Sequence, residues 1–174
     1  SDYVDGDGMG DESDEVLAIV REAAELWAGL GQYPRAVPLY ERLLEARPDD
    51  TTIFQALEAV LTHAEMWDRL LEAYWAEADR SFDEQHQVDI LMRLAELSLG
   101  ILVDDEAAAR AYRRVLEIDP DSEMARSSLE RIFERTEQWE QLIELLRDRL
   151  ERTVDGQMRE AVLLRVAELQ DQKI

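Results

Sequence analysis

Apolar residues return every three or four positions along most of this chain. Val16, Ile19, Val20, Ala23, Leu26, Trp27 and Leu30 form one such stripe, the spacing of one face of an α-helix. No segment sustains the alternation of a half-buried strand. Leu, Ala, Glu and Arg dominate after Ser13, and all propagate helix well. The pattern predicts helices over about 14–30, 34–47, 51–63, 66–80, 84–102, 105–118, 122–135, 137–153 and 156–172. Capping oxygens stand at the starts: Asp49-Asp50-Thr51, Asp83, Asp104-Asp105, Asp121-Ser122 and Asp155. Pro34 suits a first turn, whereas Pro38 lies one turn further in and is expected to disturb the second helix.

The chain also repeats. Shifted by 72 residues, Ala36 falls on Ala108, Tyr40 on Tyr112, Pro48-Asp49 on Pro120-Asp121, Leu57-Glu58 on Leu129-Glu130 and Trp67 on Trp139. The run from Leu91 to Leu97 falls on Leu163 to Leu169, with Arg93 on Arg165. Four helices per 72 residues are two helical hairpins, the period of a helical solenoid.

The hairpins resemble tetratricopeptide repeats. Gly31-Gln32-Tyr33-Pro34-Arg35-Ala36, Tyr40, Leu43 and Pro48 follow the family's turn and second helix, and Ala108, Tyr112, Val115 and Pro120 match a second time. In that resemblance Ala36 lets two helices approach, Tyr40 packs into the next hairpin and Pro48 ends the repeat. Leu70 and Leu142 replace the small alanine, and neither hairpin has the closing proline. Val20, Phe54, Met92 and Arg126 replace the family's first-helix tryptophan; Ala24, Glu58, Glu96 and Glu130 replace its glycine. Repeats at about 17–50 and 89–122 read as good, those at 51–88 and 123–160 as degenerate, and 161–174 as a lone first helix. The resemblance implies an all-α fold, a right-handed α-solenoid of antiparallel helical hairpins over 14–174.

Residues 1–13 hold three of the seven glycines and five acids without an apolar period, and read as a disordered acidic linker. The run Asp5-Gly6-Asp7-Gly8-Met9-Gly10-Asp11 is faintly similar to a calcium loop. Met9 and Val16, however, stand where oxygen ligands are required. The chain opens on Ser1, so an excised or processed fragment is expected, with further repeats or domains in a longer parent.

Charge and composition then narrow the function. With 19 basic and 41 acidic residues the net charge is −22, which repels phosphate backbones and anionic lipids. Cysteine is absent, and with it thiol nucleophiles, Cys-zinc sites and disulfides. No apolar run approaches the ~20 residues of a membrane span and no leader is visible. A cytoplasmic location is expected, with a secreted or periplasmic parent left open. His63 and His86 are the only histidines. His63-Ala64-Glu65 is like the deaminase zinc motif without its cysteines, so a helix-end or surface role is favoured. No nucleophile elbow or phosphate-cradling loop occurs. Neither an enzyme nor a cofactor is expected. Trp27, Trp67 and Trp139 read as packing residues; Trp75, whose counterpart is Arg147, is less defined.

The resemblance further implies that first helices line a concave groove. Its walls would include Arg21 and Glu25, Gln55 and Ala59, Arg93 and Leu97, Ser127 and Arg131, and Arg165 and Leu169. Candidate partner-binding residues are therefore Arg21, Gln55, Arg93, Leu97, Ser127, Arg131 and Arg165. A basic and apolar groove suits an acidic or amphipathic peptide; alternatively the arginines pair locally, as Arg21 with Glu25 or Arg165 with Glu168. The family's carboxylate-clamp version uses lysines and asparagines, but this chain has no asparagine and a single lysine, Lys173. The expected function is protein–protein interaction. The alternative is a purely structural stretch of a longer solenoid.

Overall fold

Side-chain oxygens fix most helix starts. Asp50 accepts from the Thr52 N–H, Asp83 from those of Gln85 and His86, Asp104 from Ala107 and Ser122 from Ala125. Asp155 accepts from Gln157 and Met158. Each bond satisfies an amide that the helix itself leaves without a partner. In the computed structural model, which describes residues 14–173, the helices are α1 (Asp14–Gly29), α2 (Tyr33–Ala46), α3 (Thr51–His63), α4 (Trp67–Arg80), α5 (Glu84–Leu97), α6 (Asp105–Ile118), α7 (Glu123–Arg135), α8 (Trp139–Arg152) and α9 (Gly156–Lys173). The described residues contain no strand, and the fold is an all-α helical repeat. The expected linker over 1–13 and its calcium-like run lie outside the described residues. Pro38 does not break α2. The donor it lacks would serve the carbonyl of Pro34, in a first turn where Pro34 is exposed to solvent.

One turn recurs at the helix ends. Gly31, Glu65 and Glu137 take φ of 69°, 54° and 56°. Their N–H groups donate to Ala28, Thr62 and Glu134, and the following N–H groups of Gln32, Met66 and Gln138 donate to Trp27, Leu61 and Phe133. Both bonds together make a Schellman motif. Glycine fills the left-handed position only at Gly31; elsewhere a residue with a Cβ bears its cost.

The third hairpin departs from this rule. Val103 takes the left-handed position, with φ 54°. The N–H groups of both Val103 and Asp104 converge on the Ser98 carbonyl. Residues Ser98–Leu102 form a π-turn that continues α5, and such a bulge accommodates one extra residue. Everything before it on α5 is therefore displaced by one relative to the other first helices. Burial follows the displaced register: Leu91 and Leu94 are buried in α5 as Phe54 and Leu57 are in α3, and as Arg126 and Leu129 are in α7. Pairing Met92 and Glu96 with Val20 and Ala24, as the sequence alone suggests, is one residue late. Leu91 and Ala95 are the buried pair.

The chain divides into two compact units, one through Ala76 and one from Glu77 onward. In the first, α2 packs on α1 and α3. Its core joins Leu17, Val20 and Ala24 to Val37, Tyr40, Phe54 and Leu57. The stripe expected on α1 is only partly inward: Ile19, Leu26 and Leu30 are exposed, because α2 covers one side of α1. In the second unit α6 packs on α5 and α7, and α8 on α7 and α9. Ile90, Leu94, Val115, Leu129, Ile132 and Leu142 lie at its centre. Ala36 and Ala108 are fully buried in the α1–α2 and α5–α6 hairpins, whose helices run closest. Leu70 and Leu142, at the same place in the other two hairpins, are as deeply buried and hold those helices further apart.

The turn tryptophans are less buried than their recurrence suggests. Trp67 and Trp139 are half-buried, and the Lys173 ammonium lies 4.8 Å from the Trp139 ring centroid. Trp27 is also half-buried, with the Arg35 guanidinium 4.6 Å above it. As first residue of α8, Trp139 covers the hairpin end instead of filling its interior. Trp139→Ala is expected to cost about 1–2 kcal/mol in a urea melt, below the 3–5 of a core aromatic. A loss in the higher range would place the ring in the core.

Candidate protein-interaction surface

The seven expected contact residues all stand on first helices, but they do not form one equivalent row. In the first unit Gln55 is exposed on α3 and Arg21 is half-buried on α1. The Arg21 guanidinium bonds Asp50 at 2.9 Å, the residue that caps α3. Asp50 in turn takes the Thr52 hydroxyl at 2.5 Å and the Thr52 N–H at 3.0 Å. The Thr52 hydroxyl, helped by its N–H and by Arg21, holds the Asp50 carboxyl below its ordinary range against an opposing push from burial. Burial, with Glu25 nearby, pushes the Tyr40 hydroxyl up, and Arg21 opposes it. Arg21 thus ties one first helix to the start of the next.

In the second unit Arg93, Ser127, Arg131 and Arg165 are exposed and Leu97 is half-buried. Arg131 donates to the Ser127 carbonyl at 3.3 Å and the Ser128 hydroxyl at 3.2 Å, which brings Ser127 and Arg131 together on α7. Arg165 on α9 pairs with Glu134 on α7. The partners of Arg21 and Arg165 are therefore on neighbouring first helices, not at Glu25 or Glu168 one turn away.

The π-turn separates Arg93 from Arg21. Residues at the place of Arg21 in the other hairpins are Gln55 on α3, Ser127 on α7 and, once the extra residue is counted, Met92 on α5. Arg93 is one residue further round, about 100° on the helix. Glu96 takes the outward position shared by Glu25, Ala59 and Arg131, all exposed, while Leu97 turns partly inward. Sequence spacing alone carried no sign of this shift, because Gly31 and Val103, like Arg21 and Arg93, stand 72 residues apart.

No group of three or more histidines and acids with metal-site geometry occurs among the described residues. His63 lies at the end of α3 with Nδ1 2.6 Å from the Ala59 carbonyl. His86 lies in the first turn of α5 with Nε2 2.8 Å from Glu77. Among the described residues no helix is long and apolar enough to cross a membrane.

The tetratricopeptide repeat family model matches residues 22–54 and 125–160. These stretches carry the Schellman turns at Gly31 and Glu137. The matches support a tetratricopeptide-like repeat protein. Tetratricopeptide repeats generally mediate protein–protein interaction, and such proteins are typically non-enzymatic scaffolds. The second matched stretch lies over a repeat that reads as degenerate when judged by its proline and alanine, whereas the hairpin interrupted by the π-turn lies outside both matches. No curated protein matches the chain. Among solved structures, "Crystal structure of MamA protein" is similar at 14% identity and a TM-score of 0.49, covering 92% of this chain and 87% of that one.

Proposed function

We propose that this tetratricopeptide-like array is a non-enzymatic protein-binding module that holds an acidic or amphipathic partner peptide on its first-helix groove. The observation that carries this reading is the repeated outward placement of Gln55 and Ala59 on α3 and of Ser127 and Arg131 on α7. These pairs stand at equal distances before the turns at Glu65 and Glu137, so each unit offers the same kind of position to a ligand. Their side chains differ while Leu57 on α3 and Leu129 on α7, buried two residues further on, stay the same, the division expected of a fixed scaffold with a variable surface. With Arg21 and Arg165 engaged in ion pairs, Arg131 is the better test than Arg93, which the π-turn moves off the row. Peptides selected from a displayed library on the whole chain are expected to bind Arg131→Glu about ten-fold more weakly, with the melting temperature unchanged. The effect should shrink as salt rises. Selected peptides that bind Arg131→Glu and Gln55→Glu as tightly as the unaltered chain would remove the first helices as the binding face.

A second reading, a structural stretch of a longer solenoid, is favoured by α9. Leu163 is 52% exposed, although Leu91, which it matches under the 72-residue shift, is fully buried on α5. Leu164 and Met158 are exposed beside it. A further helix with the small-residue face of α6 would cover them.

A further inference from the structure

The geometry points to a second docking surface, on the second helices of the second unit, which takes a peptide bearing an apolar side chain between a carboxylate and a cationic group. Between α6 and α8, floored by α7, lies a cleft of about 410 Å³. Leu129 and Phe133 form its floor and Leu116 and Leu145 its walls. Arg113 stands on the α6 lip and Glu144 on the α8 lip.

The first unit contains the same arrangement in closed form. Under the 72-residue shift Arg113 corresponds to Glu41 on α2, Gln141 to Arg69 on α4 and Leu145 to Ala73. Arg69 donates to both carboxylate oxygens of Glu41, at 2.5 and 2.7 Å. That contact, through Nη2 alone, bridges the two second helices α2 and α4. In the second unit the acid has become Arg113 and its partner the neutral Gln141, so the bridge cannot form. The Arg113 guanidinium lies 5.0 Å from the Phe133 ring centroid instead. Other charges around the cleft are already satisfied: Glu117 pairs with Arg114, and Asp148 with Arg126 and Arg152. Arg113 and Glu144 form no ion pair among the described residues, with each other or with any other group. A peptide carboxylate at Arg113 would supply what Glu41 gives Arg69. Its cationic group would meet Glu144, and the apolar side chain between them would cover Leu116 and Leu145, both half-buried. This surface is separate from the first-helix groove, so either reading can fail alone.

The test is a two-dimensional NMR titration of the whole chain. The probe is a blocked alanine-based peptide with glutamate, leucine and arginine one helical turn apart. Saturable shifts are expected at Phe133, Leu145 and the Arg113 side chain. Binding should weaken about ten-fold when the peptide glutamate becomes glutamine and again for Arg113→Gln, a change at an exposed side chain. The double variant Arg113→Glu with Gln141→Arg rebuilds the closing bridge; it should lose binding while melting no lower than the unaltered chain. The proposal is overturned by an absence of saturable shifts at this cleft. Equal binding of an uncharged peptide, or undiminished binding by the closed double variant, would overturn it as well.

Discussion

Leu142→Ala is expected to destabilise the protein by about 2–5 kcal/mol, measured by urea unfolding followed by circular dichroism. Leu142 is fully buried where α8 crosses α7. It replaces the alanine found in the same place, as Ala108, in the α5–α6 hairpin. Because the α7–α8 pair is spaced for a leucine, truncation leaves a void unless the helices close. Closing would need Ile143 and Leu146, also buried, to leave their present contacts. The reverse change, Ala108→Leu, forces a larger side chain between helices that run close together and should cost about 1–3 kcal/mol. Costs below about 1 kcal/mol for both would mean that residue size at the crossing does not set hairpin spacing.

Much of this architecture was legible in the chain because it rests on local rules. The three-and-four spacing and the capping oxygens at Asp50, Asp83, Asp104, Ser122 and Asp155 place helix starts with little need of tertiary information. What sequence did not carry was the π-turn at Ser98–Leu102. Arg21, Arg93 and Arg165 recur at intervals of 72 residues in the sequence, so Arg93 looks equivalent to Arg21. The hydrogen bonds of Val103 and Asp104 to Ser98 and the burial of Leu91 and Ala95 reveal the displacement. The arginine partners were also hidden. Arg21 reaches Asp50 and Arg165 reaches Glu134 across helix pairs, whereas spacing within one helix can suggest only Glu25 and Glu168. The α6–α8 cleft was missed for a different reason: it follows from an exchange of charge at positions 41 and 69 against 113 and 141, which shows only once those side chains are seen to meet.

Arg126 carries the last expected effect, because it occupies the site of Phe54 in the other unit yet is only 3% exposed. Its guanidinium donates to Asp148 at 3.1 Å and to the Pro120 carbonyl at 2.6 Å. Removing the acid strands a buried charge on one neutral acceptor. Asp148→Ala should therefore cost about 2–3 kcal/mol. That is less than a fully enclosed pair would lose, since the Asp148 side chain is 45% exposed and water can take its place. Arg126→Met should behave oppositely. It fills the same space with an apolar chain and ends the need to desolvate a cation, as Phe54 does in the first unit. Stability should stay unchanged or rise. In the Arg126→Met background, Asp148→Ala should lose most of its penalty, leaving only the Arg152 contact at 3.2 Å. Urea melts of the four proteins in this double-mutant cycle isolate the coupling. If Arg126→Met costs as much as Asp148→Ala, the ion pair is itself required for packing α7 against α8, and the apolar character of this site in the first unit is not transferable to the second.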